Sequence, residues 1–96
     1  MKIKIGCLTY VVKEIDEQLA DARDIYGNIN HNEQVISLRK NLSKERRKEV
    51  LLHEVMHGVC NQWLDVKPEE EEKFVEAVSY GLACVFRDNP KLKDAI

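Results

Sequence analysis

His53-Glu54-Val55-Met56-His57 sits in the middle of an amphipathic run from Ser43 to about Leu64. A helix turns once every ~3.6 residues, so positions four apart share a face, and His53 and His57 present two imidazoles to one point. This is the H-E-x-x-H arrangement that holds zinc. Glu54 falls about 100° further round the helix, beside the ligand line but off it. A carboxylate there is placed to take a proton from a metal-activated water, whose pKa falls to ~7, as that water attacks a polarised carbonyl. The plain alternative is a solvated helix with two coincidental histidines, and the helical context of the motif argues against it.

Working outward, Asn41 or Ser43 caps this helix and Glu45 complements its first turn. Leu52, Val55, Met56, Val59, Cys60 and Trp63 make a broad apolar stripe, and the two histidines border it, opening onto a cleft beside the packed face. Asp65-Val66-Lys67-Pro68 ends the helix and starts another, in which Glu69 to Glu72 read as a solvated run favoured by the helix dipole. Phe74, Val75, Val78, Leu82, Val85 and Phe86 form the apolar face of this second helix. Ala77, Gly81 and Cys84 form a small-residue face for close approach, and Asn89-Pro90 stops the helix.

Upstream the period changes. β-branched residues between Lys2 and Lys13 predict a strand centred on Leu8 to Lys13, and Ile15 to Arg23 is a short helix or a loop. Ile25 to His31 and Gln34 to Arg39 are predicted as two strands of a hairpin turning through Asn30 to Glu33. Ile36 and Leu38 face one way, and Val35, Ser37 and Arg39 the other. His31, beside that turn, reads as a solvent-exposed loop residue rather than a ligand. The strand Gln34 to Arg39 reaches the motif helix through a short connection and is expected to form the cleft's edge, pairing there with an extended peptide.

A chain of 96 residues, 44% hydrophobic and 33% charged, is expected to form one small globular domain over residues 1–96. Fifteen basic against seventeen acidic residues leave a net charge of −2. The only basic cluster, Lys44, Arg46, Arg47 and Lys48, reads as a solvated first turn, so nucleic acid is not an expected partner. Cys7, Cys60 and Cys84 include no C-x-x-C pair, which argues against a disulfide framework or an all-cysteine zinc site and fits a reduced cytoplasm; Cys60 and Cys84 read as buried, inert thiols. Met1 to Gly6 lacks the apolar core of a signal peptide, and no apolar run reaches the ~20 residues that cross a bilayer, so no membrane association is expected.

A hydrolytic zinc takes three protein ligands and keeps one position open. If the two helices form an antiparallel hairpin about residue 66, His57 lies level with about residue 75 and His53 with about residue 79, which brackets Glu76. Glu72 is the competitor, but the same construction sets it ~5 Å beyond His57 along the axis. The expected ligands of Zn2+ are therefore His53, His57 and Glu76, with Glu54 as general base and Glu72, Ser79 and Tyr80 as candidate supporting partners.

His53-Glu54-Val55-Met56-His57 followed by Glu76-Ala77 and then Ala83 resembles the H-E-x-x-H with downstream E-A-x-x-x-x-x-A of the ImmA/IrrE-like zinc metallopeptidases, in particular their small phage-borne members. Their hairpin, Leu-Leu-His-Glu helix and helix ending in Asp-Asn-Pro are similar to Ile25 to Leu38, Leu51 to Glu54 and Asp88 to Pro90. The resemblance covers roughly residues 25 to 90. It implies His53, His57 and Glu76 as zinc ligands, Glu54 as general base, and a transcriptional repressor as the substrate. The chain departs from the pattern at Val55-Met56, where many members have Gly or Leu-Gly before the second histidine, and at Val78, where many have Asn.

The expected fold is α+β and zincin-like: a small antiparallel sheet of about three strands packed on the motif helix, with a second helix supplying the last ligand. The expected function is zinc-dependent peptide-bond hydrolysis in a bacterial cytosol, encoded by a phage or mobile element. The rival from another class is a non-catalytic regulatory or protein-binding module that keeps zinc for stability.

Overall fold

Alternation of apolar and polar residues builds the upstream half of the chain into a sheet. The computed structural model describes residues 1–23 and 25–96. β1 (Lys2–Ile5) and β2 (Leu8–Ile15) form an antiparallel hairpin, and Gly6 supplies the positive φ of 60° that its two-residue turn requires. After a short helix α1 (Glu17–Arg23), capped by the Asp16 carboxylate accepting from the Leu19 amide at 2.8 Å, the chain returns as β3 (Gly27–Asn30) and β4 (Val35–Arg39). These two strands are the predicted hairpin. Asn30 Oδ1 accepts from the Glu33 amide in its turn, and Gln34 closes the turn at a φ of 58°.

The sheet has four strands in the order β1-β2-β4-β3, and β2 pairs with β4 in parallel from Val11↔Val35 to Ile15↔Arg39. The expected three-stranded antiparallel sheet is thus corrected to a mixed one. The helix α1 reverses the chain between β2 and β3, so the β3–β4 hairpin brings β4 back alongside β2 in the same direction. A second correction follows. β4 is interior, paired on both sides, and the edge strand beside the cleft is β3.

One face of this sheet holds Ile5, Tyr10, Ile36 and Leu38, all buried, and receives Val50, Leu51, Val55 and Val59 of α2 (Lys44–Trp63). Ser43 caps α2, its hydroxyl accepting from the Arg46 amide at 3.1 Å. Glycine lets the layers close. A Cβ on Gly58 would come within 2.6 Å of Ile5 Cδ1, and one on Gly27 within 2.5 Å of Val50 Cγ1. At the far end of α2, Gln62 donates to the Ile5 carbonyl and accepts from the Cys7 amide, clipping the β1–β2 turn to the helix. Trp63, expected within the apolar stripe, is 65% exposed.

Helix α3 (Pro68–Asp88) packs on α2, and a last turn, α4 (Leu92–Ala95), follows Pro90. Pro68 occupies the first turn of α3, as predicted. Its buried residues are Val75 and Ser79, while Phe74, Val85 and Phe86 of the expected apolar face are 44%, 40% and 41% exposed. Gly81, expected at a close approach, would place a Cβ in open space. The helix is therefore rotated so that the line through Val75 and Ser79 points inward, and this rotation decides which acidic side chains reach the histidines. No helix among the described residues is long and apolar enough to cross a membrane.

Candidate metal centre

His53 and His57 lie one turn apart on α2, and their Nε2 atoms approach to 3.2 Å. The Glu72 carboxylate straddles the pair, with Oε1 3.2 Å from His53 Nε2 and Oε2 2.9 Å from His57 Nε2. Behind His57, Glu71 Oε2 lies 2.7 Å from Nδ1. Neutral imidazole carries one N–H and one lone pair, so a proton given from Nδ1 to Glu71 leaves His57 Nε2 with its lone pair toward Glu72 and His53. His57 Nε2 and the Glu72 carboxylate are then two acceptors 2.9 Å apart, which repel unless a donor or a positive charge lies beside them.

The spacing suits a metal. Ligands held ~2.05 Å from a tetrahedral zinc are about 3.3 Å from one another, close to the separations of these three groups. His53, His57 and Glu72 are the described residues whose donor atoms come together as a potential ligand set. Glu76, expected in that place, is exposed and lines the same cleft on the next turn of α3. Two features of the helix pair bring Glu72 forward. Around α3, Glu72 lies about 60° from the inward residue Val75 and Glu76 about 100°. The connection from Leu64 to Lys67 is extended at both its ends, so it advances further per residue than a helix does, and the helices slide relative to an equal-rise hairpin.

Glu54 stands apart from this cluster. It is 6% exposed and packs beneath β3, where its Cγ lies 3.4 Å from the Cβ position of Gly27. Burial pushes its carboxyl up to about 7, with His57 pulling it down and Glu72 adding to the rise. Burial likewise lowers the pKa of His53, against the opposing pull of Glu72.

These groups open into a cleft of about 740 Å³ between β3 and the two helices, lined also by Tyr26, His31 and Tyr80. His31 is not the solvent-exposed loop residue expected. It is half-buried on the cleft wall, with Nδ1 3.0 Å from the hydroxyl of the fully buried Tyr10. Burial lowers its pKa, with the Glu71 carboxylate acting in the opposite sense. Ser79 spends its hydroxyl on the Val75 carbonyl of its own helix. At the cleft's mouth Arg46 pairs with Glu49 at 3.1 Å and lies 5.1 Å from the centre of the Tyr26 ring, so part of the basic cluster is engaged locally.

Glu71 and His31 were both legible as residue types and misplaced as environments. Glu71 precedes Val75 by one helical turn, which puts it about 40° from the inward line, and that is the signal that separates it from Glu69 and Glu70. The contact between Tyr10 and His31 crosses the sheet and leaves no local trace in the sequence. No protein family, curated protein or solved structure compared with this chain matches it.

Proposed function

We propose that this chain is a zinc-dependent metallopeptidase in which His53, His57 and Glu72 hold the ion and Glu54 is the general base. The observation behind this reading is the convergence of two imidazole nitrogens and a carboxylate at 2.9–3.2 Å, beside a buried acid that is not one of the three. Bound zinc supplies a Lewis acid that polarises the scissile carbonyl and acidifies water. Glu54 would accept a proton from an attacking water and pass it to the leaving amine, and a buried carboxyl whose proton affinity has risen toward neutrality is suited to both transfers. The layer of α2 and β3 around Glu54 keeps it out of bulk water. An extended substrate lies along the open edge of β3, which borders the cleft.

The resemblance to ImmA/IrrE-like peptidases extends the proposal to its substrate, a transcriptional repressor, and to its setting, the bacterial cytosol. It also favours Glu76 as third ligand, and geometry favours Glu72. Zinc titration separates them: Glu72→Gln is expected to weaken binding far more than Glu76→Gln, and the reverse order restores Glu76. Glu54→Gln is expected to keep fold and zinc while hydrolysis of a co-expressed repressor falls by ~10²-fold or more. A zinc-loaded wild type that cleaves no partner, together with a Glu54→Gln variant of full biological activity, would replace the peptidase with a zinc-holding binding module.

A further inference from the structure

We infer that Glu71 is the positioning residue of this centre, accepting the Nδ1 proton of His57 and so holding the imidazole in the tautomer whose Nε2 lone pair faces the metal. The inference rests on the zinc reading above and names a residue that the motif does not contain.

The contact is short, 2.7 Å, and partly shielded, the side chains of His57 and Glu71 being 14% and 24% exposed. Glu71 and Glu72 are consecutive on α3, about 100° apart around the helix, and the inward line through Val75 falls between them. One helix turn therefore offers His57 two carboxylates on its two nitrogens, Glu71 at Nδ1 and Glu72 at Nε2. Their chemistry differs because the ring's other neighbours differ. His53 Nε2 lies 3.2 Å from His57 Nε2, so the Nε2 side is where donors converge, whereas Nδ1 meets a single acceptor. A carboxylate behind a ligand histidine fixes ring orientation and raises the basicity of the metal-facing nitrogen. The extended Leu64–Lys67 connection and the rotation of α3 place Glu71 there, while Glu69 and Glu70 of the same first turn remain exposed.

Zinc affinity, measured by competition with a chromophoric chelator, and the tautomer of His57, read from its ¹⁵N shifts in the zinc-loaded protein, test this together. Glu71→Ala is expected to bind zinc about 10- to 100-fold more weakly than wild type. Glu71→Gln, which keeps an acceptor oxygen without its charge, is expected to lose less. Glu70→Ala removes the same charge from the same turn and should change affinity less than about twofold, which separates positioning from general electrostatics. Circular dichroism of each variant checks that α3 is formed, and Glu71→Gln serves if the alanine variant does not fold.

The wild type should show Nδ1 protonated and Nε2 on the metal. Three outcomes overturn the inference. Glu71→Ala and Glu71→Gln matching Glu70→Ala in affinity would remove the positioning role. Zinc on Nδ1 of His57 would make Glu71 a ligand instead. A wild type that binds no zinc would overturn the metal reading itself, whereas in the first two cases zinc binding by the wild type leaves that reading standing.

Discussion

Glu54 carries the clearest energetic consequence of any single side chain in this protein. Its carboxyl has an ordinary value of 4.5 and is pushed up to about 7 in the fold, chiefly by burial. Between those values the native state binds more protons than the unfolded chain, so the stability of the metal-free protein falls as pH rises from 4.5 to 7 and the loss is complete above that. At 1.36 kcal/mol per pH unit the full effect is about 3 kcal/mol. Glu54→Gln removes the charge and keeps the shape. In urea melts with a chelator present, this variant is expected to be more stable than wild type at pH 8 by up to about 3 kcal/mol, with the gap closing below pH 4.5. Equal midpoints at pH 8 would show that the buried carboxylate has found compensation in the native state. Stability given up in this way is consistent with the general-base role proposed for Glu54.

At the scale of elements, β3 has the decisive place. It pairs with β4 on one side, presents its other side at the edge of the sheet, and lies against α2 closely enough that Gly27 has no room for a Cβ beside Val50. Unpaired edge groups next to a cleft form a template for an extended peptide, with backbone hydrogen bonds supplying affinity and side-chain pockets supplying choice. A bound substrate peptide or backbone-mimicking inhibitor is expected to shift the amide resonances of Gly27 to Asn30 and protect them from exchange, while β1, the other edge, stays unmoved. Shifts confined to α2 and α3 would mean that the ligand bypasses the sheet. The strand order matters here because it leaves β3 outermost, where its open edge borders the cleft.

Considered as a whole molecule, the protein divides into a core where α2 seals the sheet and a helix, α3, whose docking depends on α2. Only Val75 and Ser79 of α3 are buried, and Tyr80 is 61% exposed, so its apolar anchorage is modest. The centre bridges the two helices, with both histidines on α2 and Glu71 and Glu72 on α3. An ion bound across that seam stabilises docking by mass action. Hydrogen exchange with and without a chelator is expected to show α3 losing protection on zinc removal while β2 and β4 keep theirs. Unchanged protection of α3 in a protein shown to release its zinc would place the ion's ligands on one element.

How much of this could be seen before folding depends on how far each interaction reaches along the chain. The sequence by itself determined the pairing of His53 with His57 on one helix face, the flank position of Glu54, a helix start at Asn41 or Ser43, the β3–β4 hairpin and the Pro68 and Asn89-Pro90 boundaries. All of these are set by helical period, turn chemistry or missing amides within a few residues. Only the tertiary structure decided that Glu72 straddles the histidines while Glu76 lines the cleft, that Glu71 backs His57, that Tyr10 holds His31 on the cleft wall and that the sheet is mixed. Each of these depends on the rotation and slide of α3 on α2 or on strands distant in sequence. A rotation of tens of degrees changes which glutamate faces inward at little cost to local propensity, because Glu69 to Glu72 are the same residue type at consecutive positions near the helix's N-terminal end.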